Sequence, residues 1–252
     1  MKRTLGVYLC GFVFLAICCI TPTASFAQDK AITIKITNWF PVGSKWDKIL
    51  QEWGQDLEQQ AGGKVKVNYY GGGTLAPSGQ TYDAILKGIA DVGQHSLGYT
   101  MGRFPFSQGL DMPLGWPEGS APTLIANEFY RKFKPKEFDN VKVLLFHACT
   151  PIYLATKTKP VRKLEDVKGL KIRSTGSNAK FVGLLGAAPV AMPMPEVYDA
   201  LSRGVADGLM TDYAGTYVYK TGEHLKYATE NASTAYTAVF VVAMNKKKFE
   251  SL

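Results

Sequence analysis

The residue types that most often carry catalysis are few in this chain. Its three histidines are scattered at His95, His147 and His224. Neither a Gly-x-Ser-x-Gly elbow nor a His-Glu-x-x-His helix is present. His147 and Cys149 stand two residues apart without a second pair at metal-ligand spacing, and Gly71-Gly72-Gly73 fits a dinucleotide fingerprint only loosely because Pro77 interrupts the segment. The sequence therefore predicts no enzyme, cofactor or metal site, and directs attention to binding.

Aromatic and polar side chains follow several segments whose alternation predicts β-strands. In "AITIKITNWF", Ile32, Ile34 and Ile36 alternate with polar residues, as in a strand with one buried face. Ligands in open α/β sheets bind beyond the carboxyl ends of the strands. The candidates chosen on this ground are Trp39, Phe40, His95, Ser96, Tyr99 and His147. For each aromatic residue among them, packing in the core is an equally good interpretation.

An amphipathic helix follows the first strand. Ser44 is a good N-cap with Asp47 three residues later, and Gly62-Gly63 ends the pattern. The apolar stripe of this helix consists of Trp46, Ile49, Leu50, Trp53 and Leu57. This spacing predicts that Trp46 and Trp53 belong to the core.

One phrase occurs twice in the chain. "YDAILKGIADVG" occupies residues 82–93, and "YDALSRGVADGL" occupies residues 198–209, 116 residues later. Each predicts a helix ended by a glycine, followed by Asp91 or Asp207 at the entry to a strand. Two interpretations are open: a convergent helix-turn-strand phrase, or two similar lobes facing a shared cleft. The alternation of strands and helices predicts an α/β fold with parallel sheets.

The first 27 residues have the pattern of a secretory signal peptide. Lys2 and Arg3 precede an uncharged, largely apolar run over residues 5–20, and Ser25-Phe26-Ala27 is a small-x-small cleavage pattern. A membrane anchor is the main alternative, although the run is short for a span of about 20 residues. A lipoprotein modified at Cys18 is the minor one, but it would need a small residue before the cysteine. Export to the periplasm with cleavage is the prediction.

Cleavage would change the composition of the mature protein. It would remove three of four cysteines and leave Cys149, which is predicted to be a small buried residue rather than a reactive thiol. Loss of the two signal charges would lower the net charge from +8 to +6. With its lysines dispersed, this balance favours small anionic partners and does not indicate a nucleic-acid surface.

Two longer segments carry a family resemblance. "KLEDVKGLKIRSTGS" and "LGAAPVAMPMPEVYDALSRGVADGLMTD" resemble the signature of the solute-binding proteins of tripartite ATP-independent periplasmic (TRAP) transporters, the DctP family. "GGKVKVNYYGGGTL" and "DMPLGWP" extend the likeness over most of the mature chain. The resemblance implies a bilobal periplasmic binding protein (type II-like) with crossing hinge strands. It also implies a function: binding a small organic anion without catalysis and delivering it to a TRAP permease. A ligand-sensing ectodomain is the alternative.

The resemblance also implies site residues. The arginine of its "GLKIR" motif holds the ligand carboxylate, and that position here is Arg173. A guanidinium presents a planar fork that matches a carboxylate with two parallel hydrogen bonds. A second family arginine falls on Tyr153, so a monocarboxylate is expected rather than a dicarboxylate. The polar ligand contact of the second lobe falls near Thr211 and Asp212, where the acid would accept from a ligand hydroxyl or amine, or pair with Arg173.

The expected organisation has four parts. Residues 1–27 are the signal peptide, 28–147 mainly the first lobe, 148–240 mainly the second lobe with hinge strands, and 241–252 a truncated return segment. The hinge strands are expected near residues 148–158 and 233–244. Proteins of the family it resembles continue for several tens of residues, so a C-terminal part is expected to be missing.

Overall fold

Ten β-strands and seven α-helices form the part of the chain that the computed structural model describes, residues 31–117 and 120–252. The strands are β1 Ile32–Thr37, β2 Val65–Tyr70, β3 Val92–Ser96, β4 Val141–Ala148, β5 Tyr153–Thr156, β6 Lys171–Ser174, β7 Ala188–Ala191, β8 Gly208–Thr211, β9 Tyr227–Thr229 and β10 Val239–Asn245. The helices are α1 Lys45–Gln60, α2 Thr81–Leu86, α3 Ala121–Phe133, α4 Ser177–Leu184, α5 Val197–Ser202, α6 Tyr213–Val218 and α7 Lys246–Glu250.

The strands form two five-stranded sheets with equivalent topology. Their orders are β2-β1-β3-β10-β4 and β7-β6-β8-β5-β9. In each sheet the first three strands of this order pair in parallel. The fourth strand, β10 or β5, pairs antiparallel with both of its neighbours. The predicted bilobal α/β fold is confirmed, with one sheet per lobe. The prediction of parallel sheets is correct only for the first three strands of each sheet, because β10 and β5 reach their sheets from the opposite lobe and run antiparallel to their neighbours.

The chain crosses between the lobes through two segments that pair with each other. Residues 149–152 lead from β4 to β5, and residues 230–238 lead from β9 back to β10. The Cys149 N–H donates to the Ala238 carbonyl (3.0 Å), and the Ile152 N–H donates to the Tyr236 carbonyl (2.8 Å). This two-stranded ribbon is suited to act as a hinge, because it can bend while each sheet stays rigid.

The repeated phrase occupies the same place in both lobes. Asp91 and Asp207 each precede the third strand of the order, β3 or β8. The Asp91 carboxylate accepts the Lys35 N–H (2.7 Å), and the Asp207 carboxylate accepts the Lys171 N–H (2.9 Å). The main-chain N–H of each aspartate donates in return to the carbonyl of the same lysine (2.8 and 2.7 Å). The two copies therefore make the same structural joint, as expected of two similar lobes.

Helix α1 begins as predicted, but its tryptophans are not core residues. The Ser44 hydroxyl accepts the N–H of Asp47 (3.3 Å) and caps the helix. Trp53 is 38% exposed, and Trp46 is only partly buried. The helix instead rests on the sheet through Leu50 and Gly54, where an added Cβ would lie 3.0 Å from a Val67 methyl carbon. The face of α1 that packs on the sheet therefore includes neither Trp46 nor Trp53.

The predicted signal peptide lies outside the described residues. Within residues 31–117 and 120–252, no helix combines the length and the apolar character that a membrane crossing requires.

Candidate functional site

A cavity of about 250 Å³ lies between the two lobes. Both sheets and the crossing ribbon contribute to its lining. Eight of the ten candidate residues from the sequence line it: Trp39, Phe40, Ser96, Tyr99, His147, Arg173, Thr211 and Asp212. The first five belong to the lobe of β1, and the last three belong to the lobe of β6.

Arg173 lies in β6 and is buried, with 5% of its surface exposed. Its Nε and Nη2 donate to the Met192 carbonyl (3.0 and 2.9 Å), and Nη1 donates to the Met210 carbonyl at 3.4 Å. These bonds occupy three of the five N–H donors of a guanidinium. Each terminal nitrogen therefore keeps an N–H for a further acceptor, and the carbonyls fix the orientation of the fork.

No carboxylate among the described residues lies within 4.0 Å of the Arg173 guanidinium; the ion pairs found there join other arginines to acids. Buried charges are normally paired, because leaving one without a counter-charge costs several kcal/mol. The sequence-based alternative that Asp212 pairs with Arg173 is therefore wrong. An anionic ligand would supply the missing counter-charge.

Two tyrosines stand beside Arg173. The Tyr99 hydroxyl accepts the Met194 N–H (3.1 Å) across the cleft, and burial raises the Tyr99 pKa although Arg173 opposes the rise. The Tyr219 hydroxyl is buried without a hydrogen-bond partner among the described residues, and burial likewise raises its pKa. Both phenols stay neutral at physiological pH and can donate a hydrogen bond to an anion. The sequence reasoning missed Tyr219, since nothing in its local pattern distinguishes it from a surface tyrosine on a short helix.

Aromatic rings cover the first-lobe side of the cavity. We call this surface the aromatic wall; it consists of Trp39, Phe40, Trp46, His147 and Phe240. Trp39 stacks on Phe40 with ring centroids 4.3 Å apart. His147 stacks between Trp46 (5.1 Å) and Phe240 (4.7 Å). Trp46 thus lines the cavity, because the buried positions of α1 are Asp47, Leu50 and Gly54, and the first indole is left at the cleft edge.

Three of the polar residues predicted from the sequence, Asp212, Ser96 and Thr211, line the cavity. Asp212 caps α6 by accepting the Gly215 N–H (3.0 Å), and its second oxygen accepts the Thr150 hydroxyl (3.2 Å). Burial raises the pKa of Asp212. Ser96 ends β3 and Thr211 ends β8. The two strands of the repeated phrases thus bring one hydroxyl from each lobe to the cavity.

His95 and Tyr153 do not line the cavity. His95 is fully buried beneath Tyr82 and Phe104, and its Nε2 lies 2.8 Å from the Thr100 hydroxyl. It alternates with Ser96 along β3 and therefore faces the core. The Tyr153 ring packs on Tyr213 (4.2 Å), and its hydroxyl bonds to Thr216. His95 was chosen from its place near the end of a strand and faces the core, and Tyr153 was chosen from the family resemblance and lies outside the lining of the cavity.

Neutral groups predominate in the lining of the cavity. Burial lowers the pKa of His147 to about 4, so this imidazole is uncharged at neutral pH. Burial also raises the pKa of the Cys149 thiol, whose sulfur accepts the Ala238 N–H (3.2 Å), in agreement with an unreactive cysteine. Arg173 is the one cation among the described residues that line the cavity. The site can therefore bind one anionic group at Arg173 and an apolar, ring-shaped body against the aromatic wall.

Comparison with known proteins agrees with this geometry. The profile of the family described as "Bacterial extracellular solute-binding protein, family 7" (DctP) matches residues 37–252. A TRAP solute-binding protein from Rhodoferax ferrireducens T118, solved with copurified benzoate, is 30% identical with a TM-score of 0.82; the match covers 88% of this chain and 71% of that chain. A marine metagenome TRAP protein specific for aromatic acid ligands, solved with 3-hydroxybenzoate, is 29% identical with the same TM-score and coverage.

A relative with a similar sequence supports the same family assignment. The "Solute-binding protein" of Albidiferax ferrireducens is 27% identical over 244 residues, which are 90% of this chain and 69% of the relative. The family resemblance predicted from the two motif segments is confirmed by the profile match. The chain therefore belongs to the DctP family of TRAP-transporter solute-binding proteins.

Proposed function

We propose that this protein captures an aromatic monocarboxylate in the periplasm and delivers it to the permease of a TRAP transporter. Members of its family capture organic acids for TRAP transport and bind these solutes outside the cytoplasm. The observation that carries the narrower proposal is Arg173, a buried cation that faces an aromatic cavity without a carboxylate partner in the described chain.

The charge of the ligand follows from Arg173. A carboxylate would bond to the free N–H groups of both terminal nitrogens and neutralise the buried charge. Inside a closed cleft this pairing is stronger than in water, because the local dielectric constant is lower. The tyrosine hydroxyls of Tyr99 and Tyr219 would add neutral donors to the same carboxylate.

The body of the ligand follows from the aromatic wall. Flat rings pack favourably on Trp and Phe side chains, which adds about 0.5–1.5 kcal/mol per pair beyond the area buried. An aliphatic acid would leave part of this surface uncovered. The two solved relatives that bind benzoate and 3-hydroxybenzoate support an aromatic ligand here.

The number of carboxylates follows from the absence of a second cation among the described lining residues. Tyr153, the position on which the second arginine of the resembled family falls, is outside the lining of the cavity and packs on Tyr213. A second carboxylate would lie unpaired in an apolar site or near the acid Asp212, and either position is costly. Monocarboxylates are therefore the fitting class. The signal-peptide pattern of residues 1–27 supports the periplasmic location.

Calorimetric titration of the purified protein tests the proposal. Benzoate and phenylacetate should bind, and succinate and malate should bind at least about tenfold more weakly, a difference of about 1.4 kcal/mol. Arg173→Ala should weaken benzoate binding by about 30-fold to several thousandfold, because it leaves the carboxylate buried and unpaired at a cost of about 2 to 5 kcal/mol. Arg173→Lys should recover only part of the affinity, because an ammonium lacks the planar fork.

The matched control is Arg203→Ala. Arg203 is exposed, directly follows α5, and forms an ion pair with Asp199 of that helix at 3.9 Å. Its removal should leave the affinity for benzoate unchanged. Tight succinate binding would refute the monocarboxylate class, and a less than threefold effect of Arg173→Ala would remove this residue from the site.

A further inference from the structure

The cavity is lined at one end by Trp46 and His147. The ring nitrogens of His147 are polar groups to which the proposed role of Arg173 assigns no partner. Both ring nitrogens of His147 are buried, and neither has a hydrogen-bond partner among the described residues. A neutral imidazole carries one N–H donor and one nitrogen acceptor. Buried polar groups of this kind are nearly always satisfied by protein, water or ligand, so each one without a partner requires an explanation.

The position of His147 is fixed on both faces. Its ring is stacked against Phe240, tilted by 9°, and against Trp46, tilted by 21°. His147 and Phe240 are also register partners in the pairing of β4 with β10. Because this sandwich restricts the imidazole, its nitrogens can be reached only along the ring edge. A group that bonds to them must therefore approach in a defined direction.

A series of neighbouring rings leads from the surroundings of Arg173 to His147. Tyr219, which stands beside Arg173, lies 6.2 Å from Phe40, and Phe40 lies 6.3 Å from Trp46. Trp46 in turn stacks on His147. A ligand ring that is held by its carboxylate at Arg173 and lies against Phe40 could carry substituents towards Trp46 and His147, since all four residues line the same cavity.

We infer that His147 recognises a hydroxyl group on the ring of the ligand, so that this protein prefers hydroxylated aromatic monocarboxylates to unsubstituted ones. A hydroxyl both donates and accepts a hydrogen bond, and it can therefore satisfy the neutral imidazole, whose charged form is disfavoured by burial. A second carboxylate would not fit this end, because no cation lines it among the described residues. The inference rests on the proposed function and narrows its ligand class.

The test compares dissociation constants for benzoate with those for 2-, 3- and 4-hydroxybenzoate. In the wild-type protein at least one hydroxylated isomer should bind about 5- to 150-fold more tightly than benzoate, the range expected for satisfying buried polar groups. His147→Phe keeps an aromatic ring between Trp46 and Phe240 but removes both nitrogens, and should bring this ratio close to 1. His147→Gln retains a donor and an acceptor, and should preserve part of the preference.

The matched control is His224→Phe. The Nε2 of His224 is also buried without a hydrogen-bond partner among the described residues, and its ring packs on that of Tyr198 at 4.6 Å, but His224 does not line the cavity. This variant should keep the wild-type ratio, which excludes a general effect of removing an imidazole.

The outcomes separate the two proposals. If benzoate binds in a manner that depends on Arg173, but every hydroxylated isomer binds equally well, the proposed function stands and the role of His147 is overturned. A wild-type preference that persists in His147→Phe also overturns it, and leaves the imidazole with stacking alone. If none of the acids binds, the proposed function fails and this inference fails with it.

Discussion

At the scale of single residues, Asp111 shows how burial changes the chemistry of a side chain outside the binding cavity. Its Oδ1 accepts the Val239 N–H (2.7 Å) at the start of β10, and its carbonyl accepts the Asn178 side-chain amide (2.9 Å) from the other lobe. Burial raises the pKa of the Asp111 carboxyl to about 8, and the bond from Val239 opposes the rise only in part. The folded protein therefore holds a proton that the unfolded chain, with an Asp pKa of about 3.9, has released at neutral pH.

Stability contributed by Asp111 should be present below about pH 4 and lost as the pH rises to about 8, since only the unfolded chain releases its proton in that window. Asp111→Asn keeps an acceptor for Val239 but cannot titrate. In urea unfolding at about pH 5 and about pH 8.5, the wild type should lose about 2 to 4 kcal/mol more than this variant between the two pH values. Equal losses would contradict a raised pKa.

The comparison with Asp111→Asn is needed because two histidines change the stability with pH in the opposite direction. Burial lowers the pKa of His95 and of His147 to about 4. Their contribution to stability is therefore lost as the pH falls from about 6.5 to about 4, and it is present at higher pH. The difference between wild type and Asp111→Asn removes this shared term.

At the scale of elements, the repeated phrase acts as a joint between a helix and two strands. The Asp91 and Asp207 carboxylates extend the strand pairing by one position, because each binds a main-chain N–H of the neighbouring strand. Lys35 and Lys171 also reach back with Nζ to the carbonyls of Gly88 and Gly204, after the ends of α2 and α5. The sequence repeats these residues because each lobe needs the same joint.

Removing either carboxylate should destabilise its lobe. Asp91→Ala and Asp207→Ala should each lower the free energy of unfolding by about 1–3 kcal/mol, because a strand N–H loses its acceptor. Asp91→Asn and Asp207→Asn retain an oxygen acceptor and should lose less. Asp199→Ala, at an exposed position in the second phrase, should change stability by less than about 0.5 kcal/mol. Chemical denaturation measures all five variants, and equal effects of the Ala and Asn changes would exclude the joint.

At the scale of the whole molecule, the two lobes are in contact around the cavity. Tyr99 accepts from Met194 across the cleft, and Asn178 donates to Asp111. Gly98 and Gly176 approach so closely that a Cβ on Gly176 would lie 2.9 Å from the Gly98 Cα. The two segments of the crossing ribbon, residues 149–152 and 230–238, are the only covalent links between the lobes in the described part of the chain. Contacts of this kind across the cleft are those expected in the closed form of a hinged clamp.

Ligand should therefore make the protein more compact. Small-angle scattering with and without a bound acid should show a smaller radius of gyration in the complex, because closure brings the lobes together as rigid bodies. Gly176→Ala should reduce both this change and the affinity, since its methyl group would keep the lobes apart. An unchanged radius in the wild-type complex would contradict the clamp.

Gly169→Ala is the matched control for the glycine variant. Gly169 and Gly176 both have positive φ angles, +77° and +56°, so alanine is strained at either position. Only Gly176 faces the other lobe, whereas a Cβ on Gly169 would meet nothing within 4 Å. Gly169→Ala should lower stability but leave closure and affinity intact.

Local patterns predicted a large part of this protein. The alternation of Ile32, Ile34 and Ile36 predicts β1, and Ser44 marks the start of α1, because strand faces and helix caps depend on residues that are near in sequence. The repeated phrase left a convergent phrase or two similar lobes open, and the family resemblance favoured the lobes. The motif around Arg173 identified the family, and with it the residue that the structure places in the cavity.

Tertiary structure decided what local patterns do not contain. Periodicity predicts that a position is buried, but not whether it faces the core of its own lobe or a cavity shared with the other. Trp46 was therefore predicted as core and lines the cavity, whereas His95 and Tyr153 were predicted at the cavity and lie elsewhere. The sequence by itself identified the family, and through it the bilobal fold and Arg173 as a candidate residue. The crossing of β5 and β10 between the lobes decided which side chains meet across the cleft, because those contacts join residues far apart in the chain.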